Sequence, residues 1–256
     1  MASIKEIKEI CHSVKLKRSV TENKIKRSYD FHRNLAVYIT FFFLNFMPKI
    51  TPNQISLLMV LFGFTGVFML ISIKIPLTLA GVLIIYISFL LDKVDGDIAR
   101  YRKIFSLYGK YLDEIYHLFP QTLIYLAVGI HEYIQNNHML FLVLSFICYF
   151  SSIANRISPK FVLMLLQRGT EKNNNPNIQK EKTVYKNTLL RELINNFLVC
   201  IRFDLTLAGI FLYFLLEFMG FNSASKLYIM VFFFIQAFAQ IVRLLIINRS
   251  VREKLI

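Results

Sequence analysis

Apolar residues fall in long runs separated by short polar intervals, and those runs set the architecture. Nearly uncharged stretches cover residues 54–73, 75–91, 118–130, 139–155, 205–220 and 227–248. About 20 apolar residues carry a helix across a bilayer, so the pattern predicts an all-α polytopic membrane protein with six transmembrane helices. The third run is short by itself. It reaches spanning length only if its helix begins near Gly109 and carries Asp113 and His117 inside. An ionisable pair within a span marks a functional site by default. Ahead of the first run, Ile4, Ile7, Ile10 and Val14 recur at helical spacing among lysines, which predicts an N-terminal interfacial amphipathic helix. Ala36 to Met47 is apolar all round but too short to span, and Pro48 and Pro52 end it. An interfacial helix leading into the first span is expected there, with a re-entrant hairpin as the alternative. The chain thus divides into a juxtamembrane segment, 1–50, and a six-helix transmembrane domain, 51–256. The polar, aperiodic stretch from Lys172 to Lys186 reads as a mobile linker. No internal repeat is visible.

Composition supports the membrane reading. Of 256 residues 55% are hydrophobic, 25 are Phe, and the mean hydropathy is +0.50, too apolar for a soluble domain of this length. The net charge of +14 raises nucleic acid as a partner, but its distribution argues otherwise. All but two of the 30 lysines and arginines, Lys74 and Lys226, fall in segments that six crossings put on one side. That asymmetry predicts cytoplasmic termini and attraction to anionic lipid headgroups, with no nucleic acid. The first 35 residues are polar and basic with no apolar core, so no cleavable signal peptide is expected. Cys11, Cys148 and Cys200 have no metal or redox spacing.

The candidate chemistry directly follows the second run. Asp92 and Asp95, with Gly96, Ala99 and Arg100, recur at i, i+3, i+4, i+7 and i+8 and share one stripe of a helix. Gly109, Asp113 and His117, at i, i+4 and i+8, share one stripe of a second. Facing each other, the stripes make a cage of oxygen ligands floored by residues small enough to admit phosphates. Carboxylates at the edge of a hydrocarbon layer are costly unless they bind something.

This spacing resembles the signature of the CDP-alcohol phosphotransferases, Asp-x2-Asp-Gly-x2-Ala-Arg-x8-Gly-x3-Asp-x3-Asp. Asp92, Asp95, Gly96, Ala99, Arg100, Gly109 and Asp113 match it with every gap correct. The last Asp is His117 here. Thr51-Pro52-Asn53-Gln54-Ile55-Ser56 is similar to the family's entry to its first membrane helix. The resemblance implies attack by an acceptor hydroxyl on the phosphate that bears the lipid or alcohol, with CMP leaving. It implies Asp92, Asp95 and Asp113 as ligands of Mg²⁺ or Mn²⁺, the hard cations that oxygen donors select. Gly96, Ala99, Arg100 and Gly109, with Pro52, Asn53, Gln54, Ile55 and Ser106, would hold the CDP-linked donor, Arg100 offering a planar fork to phosphate oxygens. His117 stands where the presumed general base stands. Imidazole can take a proton near neutral pH or ligate a divalent ion. Losing one negative charge favours one bound ion, or Mn²⁺ over Mg²⁺. A homodimer is implied by the resemblance alone.

Rival readings stand beside this one. The donor could instead carry a choline- or ethanolamine-like headgroup destined for diacylglycerol, or the chain could be an inactive homologue that only binds nucleotide. A secondary transporter is disfavoured, since the polar cluster lies at the membrane edge and not at mid-bilayer broken helices. Asp97 and Glu114 fall off the stripes and are expected to be solvated. Arg156, Lys160 and Arg202 read as positive-inside anchors, and Glu217 and Arg243 as side chains snorkelling near opposite faces. Phe41 to Phe43 and Phe232 to Phe234 read as lipid-facing or core filler.

Overall fold

A computed structural model describes residues 3–9, 26–172 and 203–255. Every regular element among them is helical: α1 (Lys26–Phe46), α2 (Pro52–Leu70), α3 (Ile75–Arg102), α4 (Leu107–Leu118), α5 (Pro120–Asn136), α6 (Met139–Lys172), α7 (Phe203–Phe218) and α8 (Asn222–Leu255). They divide into two compact units, Met1–Ser72 with Leu77–Gln121, and Ile73–Pro76 with Thr122–Ile256.

In the first unit the start of α2 is written locally. Thr51 caps the helix, its side chain accepting from the Gln54 amide while Gln54 Oε1 accepts from the Thr51 amide at 2.8 Å, and Pro52 occupies the first turn. A reciprocal cap and a proline that needs no donor there satisfy the exposed amides of the first turn. Farther along, α2 meets α3 through glycines. A Cβ on Gly66 would sit 2.8 Å from Gly81 O, and one on Gly81 would sit 2.9 Å from Gly66 O. Helices in lipid gain by such close approach, because packing substitutes for the missing hydrophobic drive. Ile55, Met59, Leu91, Val94, Ile98, Leu112 and Tyr116 bury together beside Ala36 and Val37 of α1. Residues 4–9 add one helical turn with Ile7 buried in the same core; Ile10 and Val14 lie outside the described residues. α1 is one continuous helix, not a re-entrant hairpin, and it stops at Phe46 ahead of Pro48. Arg102 of α3 donates to Ile50 O and, at 2.7 Å, to Pro48 O, which ties down the link from α1 to α2.

In the second unit α8 packs on α6 and α7. Buried polar groups are paired in this unit: Asn155 Nδ2 of α6 donates to Gln240 O of α8 at 2.8 Å and Tyr213 Oη of α7 donates to Glu132 Oε1 of α5, while within α5 Asn136 Nδ2 donates to Glu132 Oε2 at 2.6 Å. Glu217 does not snorkel as expected. Its side chain is only 10% exposed, 3.4 Å from the buried His131 Nε2, since a buried partner is available one helix away.

Among the described residues four helices are long and apolar enough to cross a bilayer: Pro52–Leu70, Ile75–Arg102, Met139–Ser158 and Asn222–Leu245. The protein is an integral membrane protein. Their outer faces carry exposed Leu61, Phe68, Leu83 and Phe234, apolar surface that lipid solvates and water would not. The remaining two apolar runs form α5, of 17 residues, and α7, of 16. The helix of the third run does not begin at Gly109: it is interrupted at Phe119, where Pro120 supplies no amide to continue the ladder. The linker after Lys172 lies outside the described residues, as do Arg202, Cys11 and Cys200.

Candidate active site

Three helix ends of the first unit converge on the acidic cluster. Asp92, Asp95 and Gly96 lie near the C-terminal end of α3, Asp113 and His117 lie on α4, and Pro52 to Ser56 form the first turn of α2. The turn between α3 and α4 is set by Lys103, which adopts a left-handed conformation (φ 57°). Its amide bonds back to Arg100 O, and that of Ile104 to Ala99 O, the paired closure that ends many helices and usually places glycine at this residue. Ser106 then caps α4, accepting from the Gly109 amide at 2.9 Å and donating to Asn53 Oδ1 at 2.6 Å. This pins α4 to α2. It also explains Gly109, where a Cβ would come within 2.8 Å of Asn53 Oδ1.

His117 Nε2 lies 3.4 Å from both Asp92 Oδ1 and Asp113 Oδ1, and the three candidate ligand atoms all fall within 4.8 Å of one another. The other ring nitrogen, Nδ1, is 2.9 Å from Gln121 Oε1. In the tautomer that donates from Nδ1 to this amide oxygen, Nε2 is the lone-pair nitrogen and faces the carboxylates. Two carboxylate oxygens and one imidazole nitrogen, the latter oriented by a buried amide, suit a divalent cation. Asp95, buried, is not one of the three but lines the same cavity as Asp92 and Asp113, its Oδ2 accepting from Ser56 Oγ at 2.7 Å.

A cavity of about 530 Å³ opens on this cluster, within the size range of small-molecule sites. Pro52, Asn53, Ser56, Asp92, Asp95, Gly96, Ser106, Gly109 and Asp113 line it. Other predicted residues are not on its wall: Gln54 is spent on the α2 cap, Ile55 is fully buried in the core, and Ala99, Arg100 and His117 are not among the lining. Sequence reasoning missed Ile104, Phe105, Leu107 and Lys110, which line the cavity from the turn and the start of α4. It also missed Gln121, whose i+4 spacing from His117 was the available signal. Asp97 corrects an expectation. It is 1% exposed and ion-paired with Arg33 of α1 and with Arg100, because the α1 helix covers the face of α3 that was expected to meet water. Arg156 is half-buried on α6 and Arg243 exposed on α8; the Lys160 side chain is outside the described residues.

Compared with protein-family models, residues 49–184 match the CDP-alcohol phosphatidyltransferase model, just over half of the chain and all of the residues that line the cavity. The chain belongs to the CDP-alcohol phosphatidyltransferase family. A comparison with curated proteins returns no match. Members of this family are membrane transferases that move a phospho-alcohol group from a CDP-alcohol donor to an alcohol acceptor and in general depend on a divalent metal. The Asp92, Asp113 and His117 donor set fits that requirement.

Proposed function

We propose that the protein transfers a phosphatidyl or related phospho-alcohol group from a CDP-linked donor such as CDP-diacylglycerol to a hydroxyl acceptor, releasing CMP, in phospholipid biosynthesis. The observation that carries this reading is the Asp92–Asp113–His117 cluster, two of whose members, Asp92 and Asp113, line a cavity together with Gly96 and Gly109. Asp92, Asp113 and His117 would hold Mg²⁺ or Mn²⁺, with Asp95 set beside them by Ser56. A bound ion would neutralise charge on the donor's diphosphate and make CMP a better leaving group. Pro52, Asn53, Ser106 and the two glycines shape the room for the nucleotide, and Lys110 adds a cation at its edge. In the transfer the acceptor oxygen bonds to the phosphorus bearing the alcohol, the bond to the bridging oxygen breaks, and CMP departs with that oxygen. His117 Nε2 has one lone pair for two jobs. Its place between two carboxylate oxygens favours ligation; in the tautomer that donates from Nδ1 to Gln121, Nε2 could instead take the acceptor's proton.

Incubation of the purified protein with CDP-diacylglycerol, Mg²⁺ and a panel of hydroxyl acceptors should release CMP and yield a new lipid visible by mass spectrometry. Excess EDTA should stop the reaction and Mg²⁺ or Mn²⁺ restore it. Undiminished turnover in EDTA would rule out the metal reading. CMP binding without turnover on any donor, CDP-choline included, would favour an inactive homologue. We further propose a homodimer, on family membership alone, and cross-linking in native membranes that yields only monomer would remove it.

A further inference from the structure

Asp97 is a signature-region carboxylate that belongs to neither the cavity lining nor the metal cluster. It is 1% exposed, and a buried carboxylate needs a cationic partner to stay charged. It has two. Arg33 Nη2 of α1 and Arg100 Nη2 of α3 both donate to the same oxygen, Oδ1, the latter at 2.6 Å. One guanidinium suffices to neutralise one carboxylate, so the second is surplus to charge balance. The Arg100 contact is also single-pronged: Arg100 Nε and Asp97 Oδ2, the other half of a two-bond fork, are buried and make no hydrogen bond. A fork that closes both bonds is the stronger arrangement, so the observed one is the easier to open. Arg100 is meanwhile laid across Gly96, both Nη atoms 3.2 Å from where a Cβ would be, and Gly96 is on the cavity wall although Arg100 is not. Arg100 is the more exposed of the two arginines, 30% against 13%.

We infer that Arg33 is a positioning residue for the donor site: by neutralising Asp97 from α1 it lets Arg100 leave that carboxylate and turn over Gly96 toward the donor's phosphates. This rests on the proposed reading of the cavity as the site of the CDP moiety. Arg33 touches no donor atom. Without it, Asp97 would hold Arg100 as its sole partner and the phosphates would lose their guanidinium.

The test is binding of CDP in Mg²⁺ buffer to the full-length protein in detergent, by calorimetry, with thermal stability of each variant recorded alongside. Arg33→Gln should weaken CDP binding roughly tenfold, the scale of one charge-assisted contact. Asp97→Asn, which frees both arginines, should bind CDP at least as tightly as the unaltered protein. Arg33→Gln with Asp97→Asn should recover the affinity lost in Arg33→Gln. In an Arg100→Gln background Arg33→Gln should have no further effect on CDP affinity, which a merely structural role would not produce. Should Arg33→Gln fail to fold, Arg33→Lys, which keeps the charge without the fork, should bind CDP between the unaltered protein and Arg100→Gln. CDP binding that requires Arg100 yet is indifferent to Arg33→Gln, or that falls in Asp97→Asn, overturns the inference alone. Absence of CDP binding to the unaltered protein, or affinity untouched by Arg100→Gln, overturns the reading of the cavity and the inference with it.

Discussion

At the scale of single residues, the departure at His117 sits inside a geometry that keeps its chemistry usable. Gln121 fixes the ring from behind at 2.9 Å and leaves Nε2 toward Asp92 and Asp113. Partners of this kind set ligand orientation, and their loss costs roughly ten- to a hundredfold in metal affinity. Gln121→Leu, close in volume at a buried position, should therefore weaken Mn²⁺ binding by about that factor in a spectroscopic titration, while the protein stays folded. Unchanged Mn²⁺ affinity would separate Gln121 from the metal set. His117→Ala should lower kcat/KM by roughly a hundredfold or more, and Mn²⁺ affinity tells which job is lost. Parallel loss of ion binding marks a ligand, and intact ion binding with a collapsed kcat marks a base. His117→Asp restores an oxygen donor and should recover part of the rate, with preference moving toward Mg²⁺. Lys103 carries a different burden. A side chain at φ 57° costs about 1 kcal/mol relative to glycine, so Lys103→Gly should raise the thermal midpoint slightly unless its ammonium serves the donor.

At the scale of elements, Gly109 shows how a sequence motif becomes geometry. Asn53, Ser106 and the Gly109 amide form one chain of hydrogen bonds between the first turns of α2 and α4. Gly109→Ala would push a methyl to within 2.8 Å of Asn53 Oδ1, so the turns must part and the cavity widen. We expect donor KM to rise by about tenfold, the loss of one well-placed hydrogen bond to a charged ligand, with a smaller effect on kcat; kinetics with varied donor would reveal an unchanged KM if the glycine is only a packing residue. The spacing of Asp92, Asp95, Asp113 and His117 made much of this site legible, because a 3.6-residue period maps directly onto helix faces. What it did not carry is which face is covered. Asp97 was assigned to water since nothing in the local pattern says that Arg33, 64 positions earlier, lies against it. Likewise Glu217 finds His131 only through tertiary packing. The third apolar run was read as a helix begun at Gly109, yet the proline at 120, plainly visible, ends one helix and starts the next. Turn residues such as Ile104 and Phe105 have no periodicity to betray their place on the cavity wall.

At the scale of the whole molecule, the open quantity is how many times the chain crosses the bilayer, and charge decides between two counts. At 1.5 Å per residue α5 and α7, of 17 and 16 residues, rise about 25 Å, a few ångströms short of a hydrocarbon core of about 30 Å. If neither crosses, the four longer helices still return the C-terminus to its starting side, but α6 then carries everything between it and α7 to the opposite face. That segment includes Lys180, Lys182, Lys186, Arg191 and Arg202, a load of positive charge that the orientation rule keeps cytoplasmic. Thinning the bilayer around a short helix costs only fractions of a kcal/mol per ångström. We therefore propose six crossings, with both termini and the acidic cluster on the cytoplasmic side. The two counts put the α5–α6 turn and the stretch after Lys172 on exchanged sides, so two cysteines read out the answer. In a protein with Cys11 and Cys200 changed to Ser, His138→Cys, at an exposed position, should react with an impermeant maleimide added to intact cells, and Asn174→Cys only after the membrane is opened. Labelling of Asn174→Cys from outside, with His138→Cys protected, would establish four crossings and leave α5 and α7 lying short of the far leaflet.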